Sequence, residues 1–99
     1  SAASDVYKRQ LKGLVLSSTD LNPGHSTSGH KHAGQEEVYT FIRGKGSMTL
    51  TYPNGKVSEF DVSSGDIVLI EDDVHHRVEN TGGEEKLYFV CVFDGKRSH

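Results

Sequence analysis

At 99 residues the chain has room for one small domain, and with 33% hydrophobic residues its core will be thin, so a core shared between subunits is expected. A net charge of −3 argues against a nucleic-acid backbone as partner, and no apolar run is long enough for a transmembrane helix. The lone cysteine, Cys91, excludes an internal disulfide and a zinc cluster of cysteines and fits a reducing, cytoplasmic setting.

In chain order, the opening SAASDVYKRQ shows no cap, no periodicity and no signal-peptide plan. Ala2 to Gln10 resembles one reading frame of a transposase adapter used in sequencing-library preparation. The resemblance implies a non-native segment over residues 1–10, a gene taken from shotgun-sequenced environmental DNA, and a missing native N-terminus. The domain is then expected over residues 11–99.

From Leu11 onward, short apolar stretches alternate with Gly, Asn, Asp and Pro clusters, the punctuation of an all-β chain. Strands are expected at Leu14 to Leu16, at His30 to His32 before an Ala33-Gly34 break, and at Glu37 to Arg43. Further strands follow at Gly46 to Tyr52, Val57 to Val62, Ile67 to Ile70, Val74 to Glu79 and Leu87 to Phe93. Ile67 to Ile70 reads as buried. Turns are expected at Asn22-Pro23-Gly24, at Pro53-Asn54-Gly55 with its Asn-Gly pair, at Ser63 to Asp66, at Glu71 to Asp73 and at Asn80 to Gly83. No helical periodicity appears, and strands at this spacing imply a sandwich or closed barrel.

His30 and His32 lie at i and i+2, so on a strand both imidazoles point the same way. Glu37 is out of phase on an unbroken strand, and the Ala33-Gly34 break can reset it. A third imidazole must come from a distant segment, where His75 and His76 stand side by side. Three imidazoles and a carboxylate suit Fe, Mn, Ni, Cu or Zn, not Ca or Mg.

The flanking residues carry a resemblance. Gly24, His30, Lys31, His32, Glu37 and Gly44 are spaced like the first motif of the cupin family. Gly65, Glu71, Asp73, His76 and Asn80 are spaced like the second, and the two together span residues 24–80. The resemblance implies a cupin-type double-stranded β-helix, an all-β jelly-roll barrel. It also implies one divalent transition metal per chain, held by His30, His32, Glu37 and His76. Two residues depart from the family pattern: Glu71 stands where proline is usual and Asp73 where glycine is usual. Aspartate tolerates left-handed backbone, so the turn survives. The acidic Glu71-Asp72-Asp73 turn is a solvated loop, or else a rim that disfavours anionic ligands.

His75 has the opposite parity to His76 and should face away from the ion, unless the register slips by one. Glu36 competes with Glu37, which the glycine spacing and the in-phase Tyr39 and Phe41 favour. His25 should be exposed, and Lys31, Arg43 and Arg77 should point outward. Tyr39, Phe41, Met48, Leu50 and Tyr52 read as core, and Tyr39, Phe41, Met48 and Leu50 are also candidates to line a pocket beside the metal. Cys91 reads as an inert buried thiol.

In cupins the ligand set is associated with dioxygenases, oxalate-processing enzymes and phosphosugar isomerases, and the fold does not choose among them. A phosphosugar isomerase needs cations near its ligand, and strand parity puts none inside. The expected function is a metal-dependent oxygenase acting on a small organic molecule. A sugar or phosphosugar isomerase and a non-catalytic ligand-binding cupin are the alternatives. Expected partners are a small-molecule ligand or substrate and a second copy in a homodimer covering exposed sheet edges, with no nucleic acid and no membrane.

Overall fold

The computed structural model describes residues 4–29 and 35–94. The expected His30 to His32 strand, and with it Lys31, Ala33 and Gly34, falls outside the described residues. Eight strands are described: β1 Ser4–Gln10, β2 Leu14–Leu21, β3 Glu37–Arg43, β4 Lys45–Thr51, β5 Val57–Ser63, β6 Ile67–Ile70, β7 His75–Asn80 and β8 Leu87–Asp94. They form two antiparallel sheets, ordered β1-β2-β8-β3-β6 and β5-β4-β7. This is the expected all-β jelly roll. Among the described residues no helix is long and apolar enough to cross a membrane.

Alternation builds the core. Tyr39 and Phe41 on β3, Met48 and Leu50 on β4, Val78 on β7, and Leu87, Phe89 and Cys91 on β8 all point inward and form one buried cluster. Their strand neighbours point outward, the period-2 pattern of sheets with one wet face. The chain passes between sheets at tight corners. At Gly44, between β3 and β4, φ is 91°, and an added Cβ would run into the Lys86 carbonyl and Leu87. Only glycine fits there. At the β6–β7 corner Asp73 takes φ 66°, so aspartate does adopt the left-handed turn. Pro53, Asn54 and Gly55 form a three-residue hairpin loop closed by Tyr52 N–H to the Lys56 carbonyl at 2.8 Å.

Three strand expectations need correction. No strand was expected before Leu14, yet Ser4–Gln10 pairs antiparallel with β2, from Ser4↔Leu21 to Gln10↔Val15. A β-ladder needs only extended backbone, so a segment without pattern can still add to an edge. The strand expected to stop at Leu16 runs on to Leu21, because β8 pairs with its polar half as well, through Ser17↔Cys91 to Leu21↔Leu87. β6 is only half buried. Ile70 points inward, while Ile67 and Leu69 are 63% and 71% exposed, because β6 is an edge strand with one face on the core.

Asn80, picked out by motif spacing, is a structural clamp. It is buried, and its Nδ2 donates to the carbonyls of Leu21 and Glu85, both at 2.9 Å. Its Oδ1 accepts from Gly82 N–H at 2.9 Å. One side chain thus ties the end of β7, the following turn and the end of β2.

Candidate metal centre

Glu37 opens β3 and points inward with Tyr39 and Phe41, whereas Glu36 is exposed. His76 sits on β7 with the same parity as buried Val78 and Asn80, opposite Leu50 of β4. These strands belong to different sheets, so the two side chains meet across the barrel. Glu37 Oε2 lies 3.1 Å from His76 Nε2, with the side chains 3% and 2% exposed.

The imidazole is held from its other side. His76 Nδ1 is 3.0 Å from the Val74 carbonyl oxygen. A carbonyl only accepts, so Nδ1 carries the hydrogen and the lone pair of a neutral ring sits on Nε2, facing the carboxylate. Two acceptors at that distance call for a positive centre between them, a proton or a metal cation. A histidine whose far nitrogen is fixed by a backbone carbonyl is also the usual arrangement of a metal-binding imidazole. The donor set therefore fits a transition metal.

Without a metal the proton takes that place. Burial pulls the His76 pKa down, but the contact with Glu37, the Val74 carbonyl and the Glu37 charge outweigh it and hold the pKa above its usual 6.5. A raised folded-state pKa stabilises the fold fully below pH 6.5, and that contribution is lost as pH rises through the raised value. The melting temperature of metal-free protein is therefore expected to fall as pH rises across this window. His76→Gln should flatten that slope, and identical pH profiles for the two proteins would contradict the assignment.

One side chain touching Glu37, and one buried polar residue just before β3, were not read from the sequence. Cys91, taken as inert, donates its S–H to Glu37 Oε2 at 3.4 Å. No signal in the sequence marks it, because its place opposite Tyr39 comes from the β3–β8 register. Gln35 is buried two residues before Glu37 and shares its parity, and its Nε2 donates to the Asp94 carbonyl at 2.8 Å.

Of the pocket candidates, Tyr39 packs against the pair. Its ring meets the His76 ring edge-on with centroids 5.5 Å apart, and it stacks on Phe89 at 5.5 Å. Burial, then Cys91 and Glu37 beside it, push its hydroxyl pKa up, so it stays protonated. Phe41 and Met48 are completely buried and Leu50 nearly so. All four belong to the packed core cluster.

Among the described residues no three His, Cys, Asp or Glu side chains converge as a metal-binding group. The two remaining expected ligands, His30 and His32, lie outside the described residues. The segment leading to them is described. Thr27 N–H donates to the Val78 carbonyl at 2.8 Å, Val78 N–H donates to Thr27 Oγ1 at 3.0 Å, and Ser26 bridges Glu79. Gly29 lies so close to the His75 ring that any Cβ would collide with it. The chain thus runs antiparallel along β7 up to the residue before His30. His75 is half-buried and His25 exposed, and Arg43 and Arg77 point outward as expected.

Comparison with known proteins agrees with this geometry. Residues 17–93 match the Cupin domain family. The chain is 33% identical over 94 residues to the glucose-6-phosphate isomerase of Thermococcus gammatolerans, covering 87% of this chain and 49% of that protein. It is 32% identical over 81 residues to an oxalate-binding protein of Thermotoga maritima, covering 82% of this chain and 62% of that one. It spans about half the length of the curated isomerases it matches. Among solved structures, a predicted oxalate decarboxylase from Thermotoga maritima superposes with a TM-score of 0.77 at 27% identity, over 92% of this chain and 79% of that one. The oxalate decarboxylase of Bacillus subtilis, a protein with Mn(II) centres, superposes with a TM-score of 0.88 at 28% identity, over all of this chain and 27% of that one. The family match runs through both spaced motifs and the strands that carry Glu37 and His76, and the chain belongs to the Cupin domain family.

Proposed function

We propose that the chain is a mononuclear divalent-metal cupin in which Glu37 and His76, together with His30 and His32, hold one Fe, Mn, Ni, Cu or Zn ion and present it to a small oxygen-donor molecule. The observation that carries this reading is the buried 3.1 Å approach of Nε2 to Oε2, with Nδ1 already committed to Val74. The path of residues 26–29 supports it, since it carries the chain along β7, the strand of His76, as far as Gly29. When bound, such an ion supplies Lewis acidity and open coordination positions. The protein's own part is to fix the His76 tautomer through Val74, to provide the Glu37 anion, and to keep water out with Tyr39, Phe41 and Phe89.

The placement of cations bears on the ligand. Arg43, Lys45, Arg77 and Lys86 are all exposed. No Lys or Arg side chain is buried among the described residues, so meeting a ligand's charge in the barrel falls to the ion. That suits a compact chelating molecule, and oxygenase chemistry is the first reading. Isomerisation of a sugar or phosphosugar is the second, favoured by the 33% identity to the archaeal isomerases. Binding without turnover is the third, favoured by the oxalate-binding relative. Protein loaded with Fe(II) or Mn(II) is offered diketones, catechols and thiols under an oxygen electrode, and separately glucose 6-phosphate and oxalate. Oxygen uptake supports the first reading. Conversion of glucose 6-phosphate without oxygen uptake overturns it in favour of the second. Oxalate binding by calorimetry with no turnover of any compound overturns it in favour of the third.

We also infer a homodimer that packs sheet on sheet. The register Leu16↔Val92↔Val38↔Leu69 lays four apolar side chains in one row across the outer face of β2, β8, β3 and β6. Leu16, Val38 and Leu69 are 40%, 37% and 71% exposed, and contiguous apolar surface of this kind marks an interaction face. Because β1 covers the free edge of β2, face packing is favoured over edge pairing at that side. Light scattering at micromolar concentration should give twice the 10.9 kDa chain mass, and Leu69→Lys should halve it. A wild-type monomer would refute the dimer.

A further inference from the structure

Among the described residues, Cys91 is a polar side chain in contact with Glu37 to which the proposed function gives no part. β8 sets it directly opposite Tyr39, facing inward at 7% exposure. Its S–H reaches Glu37 Oε2 at 3.4 Å, the same oxygen that faces His76 Nε2 at 3.1 Å. A carboxylate oxygen has two acceptor directions, and here one is taken by the thiol while the other is aimed at the imidazole. The terminal torsion of a glutamate is soft, with broad wells. A hydrogen bond to Oε2 narrows that torsion.

We propose that Cys91 is a positioning residue for Glu37, its thiol hydrogen bond holding Oε2 turned toward His76 so that the carboxylate meets a metal ion in one fixed orientation. The inference rests on the metal-site reading above. It is a claim about a donor and not about filled space. The inward neighbours of Cys91 on β8, Leu87 and Phe89, are purely apolar, and an apolar residue of similar size would fill the same volume while offering Glu37 nothing. Outer hydrogen bonds to ligating carboxylates typically change metal affinity by about 10–100-fold when removed.

The test compares Cys91→Val, which keeps the bulk and removes the donor, with Cys91→Ser, which keeps a donor. Co(II) serves as the probe. Affinity is read by competition with a chelator, and ligand geometry is read from the visible absorption of the bound ion. C91V is expected to bind Co(II) about 10–100-fold more weakly with an altered spectrum, and C91S is expected to recover most of both. Should C91V fail to fold by circular dichroism, C91A supplies the donor-free comparison. Wild-type affinity and spectrum in the folded donor-free variant would overturn the positioning role while leaving the metal site standing. Loss in C91V and C91S alike would also overturn it, by showing that the donor is not what matters. If the wild-type chain binds no Co(II), the metal-site reading fails and this inference with it.

Discussion

Replacing His76 with Ala is expected to strip most of the bound metal from the protein, and replacing Glu37 with Ala to do the same, while Ala at His75 leaves the metal in place. The expectation follows from geometry on the two faces of β7. His76 points into the barrel and meets Glu37 at 3.1 Å, whereas half-buried His75 lies against Gly29 on the other face. Removing the imidazole takes away a proposed metal donor and one partner of a carboxylate that is 3% exposed. Breaking a buried pair by deleting one partner costs about 3–5 kcal/mol, so circular dichroism must accompany the metal measurement. A folded H76A variant that retains the wild-type metal content would contradict the assignment. Loss of metal in H75A would mean that the ligand is the neighbouring histidine.

The second large effect is on the fold. Phe41→Ala is expected to destabilise the protein by about 3–5 kcal/mol. Phe41 is completely buried, with its ring 5.3 Å from Phe89 and 6.3 Å from Tyr39. The cavity left behind cannot collapse easily, because β3 is held by β8 on one side and β6 on the other. A domain of this size commonly has about 5–15 kcal/mol of stability in all, so the loss is a large part of the total. The same cavity loosens the support of Tyr39, whose ring abuts His76, and metal affinity should fall with stability. Urea denaturation of metal-free protein measures the cost. A change below about 1 kcal/mol would show that this aromatic cluster does not hold the barrel together.

What could be read in the sequence was local pattern. The bounds of β3 and β6 follow from alternation and punctuation alone, while motif spacing selects His76 over His75 and, with the in-phase Tyr39 and Phe41, Glu37 over Glu36. Asp73 in a left-handed turn was foreseeable from its short polar side chain. Other features depend on pairing between distant segments. β1 carries no pattern, because an edge ladder asks nothing of side chains, and the polar half of β2 is a strand only because β8 lies beside it. The exposed face of β6 could not be told from a buried one in a four-residue apolar run. Cys91 is the clearest case. In an apolar stretch a thiol reads as core, and its contact with Glu37 exists only because β8 docks on β3 in the register that sets Cys91 against Tyr39. The proposed ligand roles of His30 and His32 rest on spacing and on the path of residues 26–29, the two residues themselves lying outside the described residues.

The central claim is that the paired acceptors of Glu37 and His76 mark a metal site. Its most direct test is elemental analysis of the wild-type protein, purified without chelators or a polyhistidine tag and then equilibrated with a mixture of divalent Mn, Fe, Ni, Cu and Zn before desalting. The account predicts about one transition-metal ion retained per chain, with release on acidification as His76 takes up a proton. A protein that stays folded and retains no stoichiometric metal would contradict it.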